Sequence, residues 1–232
     1  FDETIKKLES REILEESGYI FNVNWTPNGK IIYSSTASGQ PEIWRINADG
    51  TEHTQLTVNS GISFGISVLP LDDSLLFCST RNGKHSLYLA DSEGKNMRQI
   101  IEGTEDVFGT FTPDGQSIIF QRGLDNKTTT LWRFDLKDKN LTQLTQKHAL
   151  HPTISPDGNK VAHYFMDADT DNLWRIKLIS SATGESLGKI NLPKEATERR
   201  MRWYPTGKFI SQIAYQGEEI KMLFLPIDGG DS

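Results

Sequence analysis

A proline-centred turn recurs along this chain at a nearly constant interval, and this recurrence restricts the fold more than any other feature. The tetrapeptides TPNG, TPDG, SPDG and YPTG end at Gly29, Gly115, Gly158 and Gly207, and a degraded copy, LPLDD, contains Pro70. The five turn prolines are Pro27, Pro70, Pro113, Pro156 and Pro205, at spacings of 43, 43, 43 and 49 residues. Self-similarity at this period indicates tandem copies of one supersecondary unit.

Two further markers keep step with the prolines. An aromatic residue follows each proline by 17 to 19 residues, and the five are Trp44, Tyr88, Trp132, Trp174 and Phe224. The tetrapeptide TQLT occurs at Thr54–Thr57 and again at Thr142–Thr145. The repeated unit therefore extends well beyond the turn.

Each unit predicts four short strands. Strand A ends at the proline, and a tight turn follows because proline fixes φ and glycine accepts positive φ. Strand B is a mostly apolar run, typical of burial on both faces. The five strand B segments are 31–35, 75–79, 118–121, 161–165 and 209–213. Strand C carries the aromatic residue, and strand D follows a glycine-containing turn. Four strands in about 40–45 residues are typical of a β-propeller blade. The predicted fold class is all-β, a propeller of four-stranded antiparallel blades with about five blades' worth of sequence.

The repeat period assigns residues 1–232 to a single propeller domain. We assign residues 1–18 to strand D of a preceding or closing blade, because 11–27 resemble 98–113. The blades then cover 19–57, 58–101, 102–145, 146–191 and 192–232, and the last of these lacks its own strand D. In one interpretation Arg11–Leu14 supplies that strand and closes a five-bladed ring. In the other, which we favour, the chain is a fragment of a larger propeller, with additional domains in the full-length chain.

Composition excludes several classes of protein. The net charge is −6, and an acidic chain repels phosphate backbones, so nucleic acid is not expected as the partner. No stretch approaches the 18 apolar residues of a membrane-spanning helix. Cys78 is the single cysteine and is expected as a buried apolar residue in strand B, not a nucleophile. These features fit either the bacterial cytoplasm or the periplasm.

The pattern SPDGNKVAHY…LWRIKL and TPDGQSIIFQ…LWRFDLKDKNLTQLT resembles the WD-like propeller repeats of the TolB-like bacterial family. The resemblance covers nearly the whole chain and is specific for the fold. It implies one of several settings: periplasmic TolB proteins, prolyl-oligopeptidase propellers, oligogalacturonate lyases, or sensory domains attached to kinases and winged-helix regulators. Leu71-Asp72-Asp73 and the turn Tyr204-Pro-Thr-Gly207 depart from the repeat and leave the subfamily open. Because fold alone does not determine function, the residues themselves have to be considered.

A binding surface is expected where the D–A loops converge around the channel, since a ring holds many loops in fixed positions around one axis. The candidate rim segments are Glu16–Tyr19, Asn59–Gly61, Gly103–Asp106, Lys147–His151 and Glu195–Arg200. The candidate partner-binding residues are His148, His151, Arg199, Arg200 and Arg202. His148 and His151 resemble the metal-binding histidines of the lyases, but spacing identifies no third ligand, so no metal and no cofactor are predicted. Asp167, Asp169 and Asp171 alternate as in a calcium loop, yet Asn172 and Leu178 replace the required glycine and glutamate.

Two other features receive structural interpretations. Gly61–Gly65 matches G-x-S-x-G, but a nucleophile elbow needs a strand, a sharp turn and a helix, and this segment aligns with strand A. The tryptophans occupy fixed places in the repeat (Trp25 and Trp203 before the turn, the others in strand C), which favours inter-blade core. We therefore expect a non-catalytic module that binds a protein or a small ligand at the rim. The alternatives are the propeller of a prolyl-oligopeptidase-like peptidase and a metal-dependent lyase.

Overall fold

The computed structural model describes residues 11–101, 105–123, 128–166, 173–193, 201–216 and 219–228. All regular elements in these ranges are β-strands. In chain order they are β1 (Ile20–Trp25), β2 (Lys30–Ser35), β3 (Glu42–Asn47), β4 (Thr54–Gln55), β5 (Ser63–Val68), β6 (Leu75–Ser79), β7 (Ser86–Ala90), β8 (Arg98–Gln99), β9 (Asp106–Phe111), β10 (Ser117–Gly123), β11 (Thr129–Asp135), β12 (Leu141–Gln143), β13 (Leu150–Ile154), β14 (Lys160–Met166), β15 (Trp174–Ser180), β16 (Ser186–Asn191), β17 (Arg202–Trp203), β18 (Phe209–Gln216) and β19 (Glu219–Pro226). Within these ranges, nothing helical offers the length and hydrophobicity needed to span a bilayer.

The strands form five antiparallel sheets, each a meander of consecutive strands. We call them blades 1 to 5. Blades 1 to 4 hold four strands each (β1–β4, β5–β8, β9–β12 and β13–β16), and blade 5 holds β17–β19. The inner strands β1, β5, β9, β13 and β17 contact one another in succession. The predicted β-propeller of antiparallel blades is confirmed, and every predicted strand B coincides with the second strand of a blade.

The core lies between blades, because each sheet buries its faces against its neighbours. Blades 2 and 3 enclose the apolar cluster that contains Leu76, Cys78 and Phe120, all fully buried. Equivalent clusters fill the interfaces between blades 1 and 2, 3 and 4, and 4 and 5. Trp132 and Trp174 pack against two of these clusters, in line with the inter-blade role expected for strand C aromatics.

The face of blade 1 that points away from blade 2 is less well covered than the faces between blades. Trp25 was expected in an inter-blade core, but its side chain is 62% exposed, because no neighbouring blade covers this face within the described residues. Ile13 and Leu14 pack against part of the face, beside Ile31 and Tyr33. Residues 11–16, which belong to the segment 1–18 predicted as strand D, have no regular secondary structure. Their assignment to a preceding or closing blade remains a prediction.

Candidate functional site

The inner strands of blades 1 to 4 all bend at the same point of the repeat. The register of each shifts by a β-bulge, and the bulge holds Asn22, Gly65, Phe108 or His151 in the left-handed region, with φ between 50° and 68°. Each of these residues lies five positions before its turn proline. Glycine and asparagine accept positive φ easily, whereas a phenylalanine there stores strain. Bulges re-aim side chains, and retained strain is characteristic of functional positions.

These bulges surround a cavity of about 230 Å³ in the central channel. All five inner strands or their immediate neighbours contribute to its wall. The lining residues are Asn22, Asn24, Gly65, Ile66, Ser67, Phe108, Gly109, Thr110, His151, Pro152, Thr153, Ile154, Met201 and Arg202. The cavity therefore depends on the packing of all five blades, not on a single blade.

Several polar groups of the wall tie one blade to the next. The Gly65 N–H donates to Oδ1 of Asn22 (3.0 Å), and the His151 N–H donates to Oε1 of the buried Gln121 (2.7 Å). Trp203 Nε1 donates to the Thr153 carbonyl (3.1 Å). The first two bonds satisfy backbone N–H groups at the bulges, and all three connect neighbouring blades.

An aromatic edge forms one side of the cavity. The Phe108 ring lies edge-on to His151 (centroids 5.3 Å apart) and to Phe64 (5.8 Å). His151 in turn lies edge-on to the buried Tyr164, at 6.3 Å. Such pairs add stabilisation beyond the burial of their area, which offsets part of the strain at Phe108.

Arg202 carries a formal positive charge at the described part of the wall. Its Nη1 donates to the Met201 carbonyl at 3.4 Å, a long and weak bond. Part of the side chain meets solvent, while desolvation by the surrounding protein lowers the pKa of the guanidinium. In the part of the wall that the structure describes, no aspartate or glutamate is present.

The structure separates the five residues predicted to bind a partner. His151 and Arg202 both line the cavity. His148 does not: its Nδ1 accepts a hydrogen bond from the Thr129 N–H (3.0 Å), which fixes the loop before β13 to the start of β11. Arg199 and Arg200 lie outside the described residues, as do Asp167, Asp169 and Asp171 of the calcium-like run.

Sequence reasoning missed Phe108 and Asn22. A signal was available, because both lie five residues before a turn proline, the position that His151 occupies in its own repeat. Arg200 has the same offset from Pro205. The variety of side chains at one repeat position contrasts with the uniform apolar residues of the second strands.

Neither the G-x-S-x-G segment nor the cysteine forms a nucleophilic site. Ser63 is fully buried in β5, where its hydroxyl bonds to Ser60 Oγ (2.8 Å) and Ser79 Oγ (3.2 Å). Cys78 is buried as expected, and desolvation raises the pKa of its thiol to about 12. In the described part of the chain, no three His, Cys, Asp or Glu residues converge in a way that would hold a metal ion.

Comparison with known proteins agrees with this architecture. The family model of the TolB β-propeller domain matches residues 3–207. TolB from Acinetobacter baumannii superposes with a TM-score of 0.76 at 20% identity, over 94% of this chain and 57% of that one. A putative TolB from Agrobacterium tumefaciens gives 0.79 at 18% identity, over 95% and 82% of the two chains.

A chain of the nidogen/laminin complex gives a TM-score of 0.69 at 12% identity, over 90% of this chain and 76% of that one. Identities this low demonstrate shared fold and nothing finer. The chain spans 57% of the Acinetobacter baumannii protein, so that protein's activities do not transfer directly. The family match, which extends over most of the sequence, is the stronger finding, and the chain belongs to the TolB β-propeller family.

Proposed function

We propose that this chain is a non-catalytic binding module, which holds a small ligand or an exposed side chain of a partner protein in the cavity of its central channel. The observation that carries the proposal is the ring of left-handed residues, Asn22, Gly65, Phe108 and His151, around one cavity. Repeats built for packing alone have no need of a phenylalanine at positive φ in the inner strand. Conformational strain kept next to an open cavity supports a role in recognition.

Rigidity supports the same function. The wall is held by hydrogen bonds between blades, including those to the backbone of Gly65 and His151. A site fixed before its ligand arrives loses little conformational entropy on binding. At about 230 Å³ the cavity is smaller than the usual 300–1,000 Å³ of drug-sized sites, which favours a small group over a large cofactor.

The two catalytic alternatives gain no support from the described residues. Ser63 is buried within a strand, so the propeller itself supplies no accessible nucleophile, and the peptidase alternative would require a separate α/β-hydrolase domain. A lyase of the resembling kind needs converging metal ligands, and His148 instead accepts a backbone hydrogen bond. Binding is therefore the function that the geometry favours.

Filling the cavity tests this proposal. Random peptides displayed on phage and a fragment library are screened against the wild-type chain, and dissociation constants are then measured by calorimetry. Thr110→Trp places a large ring in the cavity wall, and Thr142→Trp, on the exposed outer strand β12 of the same blade, is the matched control. We expect Thr110→Trp to abolish binding of the recovered ligands and Thr142→Trp to leave it unchanged.

A second pair of variants covers the case in which Thr110→Trp does not fold. Phe108→Gly and His151→Gly keep the left-handed backbone, since glycine accepts positive φ, but remove the ring side chains. Both are expected to weaken binding. The proposal is wrong if the recovered ligands bind all these variants as tightly as the wild type, or if neither library yields a ligand.

A further inference from the structure

We propose that the cavity recognises a carboxylate group, which pairs with the guanidinium of Arg202. This inference rests on the proposed function, because it specifies the chemistry of the ligand that the cavity takes. It starts from a contrast of charge: the chain as a whole carries −6, yet among the described residues that line the cavity there are one arginine and no carboxylate. A positive site within an acidic protein attracts and orients an anion.

Most N–H donors of the Arg202 guanidinium have no hydrogen-bond partner among the described residues. An arginine guanidinium carries five N–H donors. Among the described residues, the Arg202 guanidinium makes one hydrogen bond, the 3.4 Å contact with the carbonyl of its neighbour Met201. Other arginines of the chain are differently placed. Arg45 pairs with Glu93, and Arg122 with Asp106. Arg202 is therefore a solvent-accessible cation at the cavity wall, and the described lining residues offer it no carboxylate partner.

The remaining lining groups favour an anion as well. The Ser67, Thr110 and Thr153 hydroxyls can each donate, since a hydroxyl rotates its hydrogen toward an acceptor. Ser67 Oγ already accepts from the Phe111 N–H at 3.3 Å, which leaves its own hydrogen to donate. Hydrogen bonds from a charged donor to a carboxylate are about twice as strong as neutral ones, and the planar guanidinium matches a carboxylate in two parallel bonds.

Charge balance selects carboxylate over phosphate. One guanidinium neutralises one negative charge, which is the charge of a carboxylate near neutral pH, whereas a phosphate monoester carries about −1.5 to −2. Carboxylates reach such a site from two sources: a small organic acid, or an acidic side chain of a partner protein. Both present the same group to Arg202, and the experiment separates them.

Calorimetric titration of the folded 232-residue chain tests the inference with defined probes. The probes are propionate, which carries a single negative charge near neutral pH, inorganic phosphate, and a capped pentapeptide with a central glutamate flanked by serine and glycine, beside its glutamine counterpart. Arg202→Gln removes the charge, Arg202→Lys keeps the charge but loses the planar fork, and Arg98→Gln removes an exposed arginine on the outer strand β8.

We expect a carboxylate probe to bind the wild type and to lose about tenfold or more in affinity with Arg202→Gln, with a smaller loss for Arg202→Lys. Arg98→Gln is expected to bind like the wild type, and added salt is expected to weaken binding. Propionate binding alone identifies a small acid as the source, whereas binding of the glutamate peptide alone identifies a protein side chain.

Four results overturn the inference. These are measurable binding of the glutamine peptide that is as tight as that of the glutamate peptide, tighter binding of phosphate than of either carboxylate, an unchanged affinity in Arg202→Gln, or the absence of binding by every carboxylate probe. A separate result bears on the cavity itself. Ligands that are lost with Thr110→Trp but are indifferent to charge leave the proposed function intact and refute carboxylate recognition. Carboxylate binding that depends on Arg202 yet survives Thr110→Trp refutes the cavity as the site.

Discussion

His163 carries a titratable ring into the interface between blades 3 and 4, and this makes the fold sensitive to acid. The residue is 2% exposed, its Nδ1–H donates to the Tyr164 carbonyl (3.0 Å), and Nε2 has no hydrogen-bond partner among the described residues. Desolvation lowers the pKa of the imidazole from 6.5 to about 4, and the nearby Lys177 charge acts in the same direction. The native state therefore holds His163 neutral where the unfolded chain binds a proton.

The sign of the pH effect follows from this difference. As the pH falls from 6.5 to about 4, the unfolded state binds a proton at His163 and the native state does not. The free energy of unfolding therefore decreases, by about 3 kcal/mol in total. We expect His163→Leu to flatten the pH dependence of stability across this window. Urea unfolding at several pH values measures it, and identical pH profiles for variant and wild type would contradict the assignment.

A buried ion pair, Asp106 with Arg122, sits at the inner end of blade 3. The guanidinium binds both carboxylate oxygens, with Nε–Oδ1 at 2.7 Å and Nη2–Oδ2 at 2.8 Å, and Asp106 is fully buried. Burial raises the pKa of Asp106, partly opposed by the hydrogen bonds from Arg122. Without its partner, each group would be a poorly solvated polar group in the blade.

Asp106→Leu is therefore expected to destabilise the fold by about 3 kcal/mol, because it leaves the Arg122 charge partly buried and unpaired. The double variant Asp106→Leu with Arg122→Met removes both charges and is expected to be more stable than the single variant. Denaturant unfolding of the two single variants and the double variant forms a thermodynamic cycle. Purely additive losses would show that the two side chains are not energetically coupled.

The candidate site illustrates what single residues reveal in a sequence. His151 and Arg202 were named because their chemistry and position in a loop region drew attention. Phe108 and Asn22 were missed because each resembles an ordinary strand residue, and their importance arises from a left-handed backbone that only the bulge creates. His148 was predicted to bind a partner, but its Nδ1 accepts a hydrogen bond from the backbone N–H of Thr129. The sequence alone does not identify this contact.

At the scale of elements, one carboxylate stabilises the turn between the first and second strands of blade 3. Asp114 Oδ1 accepts hydrogen bonds from Thr112 Oγ1 (2.5 Å) and from the Gln116 N–H (3.0 Å), and these bonds lower the pKa of Asp114. The Ser155–Asp157 turn of blade 4 repeats the arrangement, and in blade 1 Asn28 accepts from Thr26 (2.6 Å). A single acceptor two residues after the hydroxyl is thus the common requirement.

Asp114→Ala is expected to cost about 1 kcal/mol near neutral pH, a modest value because the carboxylate is exposed to solvent. Asp114→Asn should cost less, since blade 1 uses asparagine at this position. The contribution of the carboxylate is present above the unfolded pKa of 3.8 and is lost as the pH falls through the lower native value. Thermal unfolding at neutral and at acidic pH measures it; a gap between Asp114→Ala and wild type that widens in acid would contradict the mechanism.

The strands were predictable for a reason that does not extend to the bulges. Apolar runs such as Leu75–Ser79 and Ile118–Gln121 are bounded by turn residues that encode φ directly, so both the strand and its limits are local properties. The bulge at His151 is stabilised by Gln121 from the preceding blade, thirty residues away in the chain. Its register depends on contacts between blades, and no local pattern specifies them.

At the scale of the molecule, blade 5 exposes one entire face. Opposite residues of an antiparallel pair share a face, and the pairs Ser211–Phe224 and Ile213–Met222 place three apolar side chains on the same side. Met222 is 62% exposed and Ile213 and Phe224 are each 40% exposed, while Ile210 and Leu225 on the other side are buried against blade 4. Within the described residues, β19 is also the edge of its sheet.

An exposed apolar face that ends in an open strand edge favours association with other chains. We expect this chain to associate in a concentration-dependent manner, and Met222→Lys to suppress that association by placing a charge at the centre of the face. Leu187→Lys, which changes a 50% exposed residue on β16 of blade 4, is the control and is expected to behave like the wild type. Sedimentation velocity over a range of concentrations distinguishes these outcomes. Since Met222 and Leu187 are not among the residues that line the cavity, ligand binding should be the same in both variants. Association that persists unchanged in Met222→Lys would show that this face is not the contact.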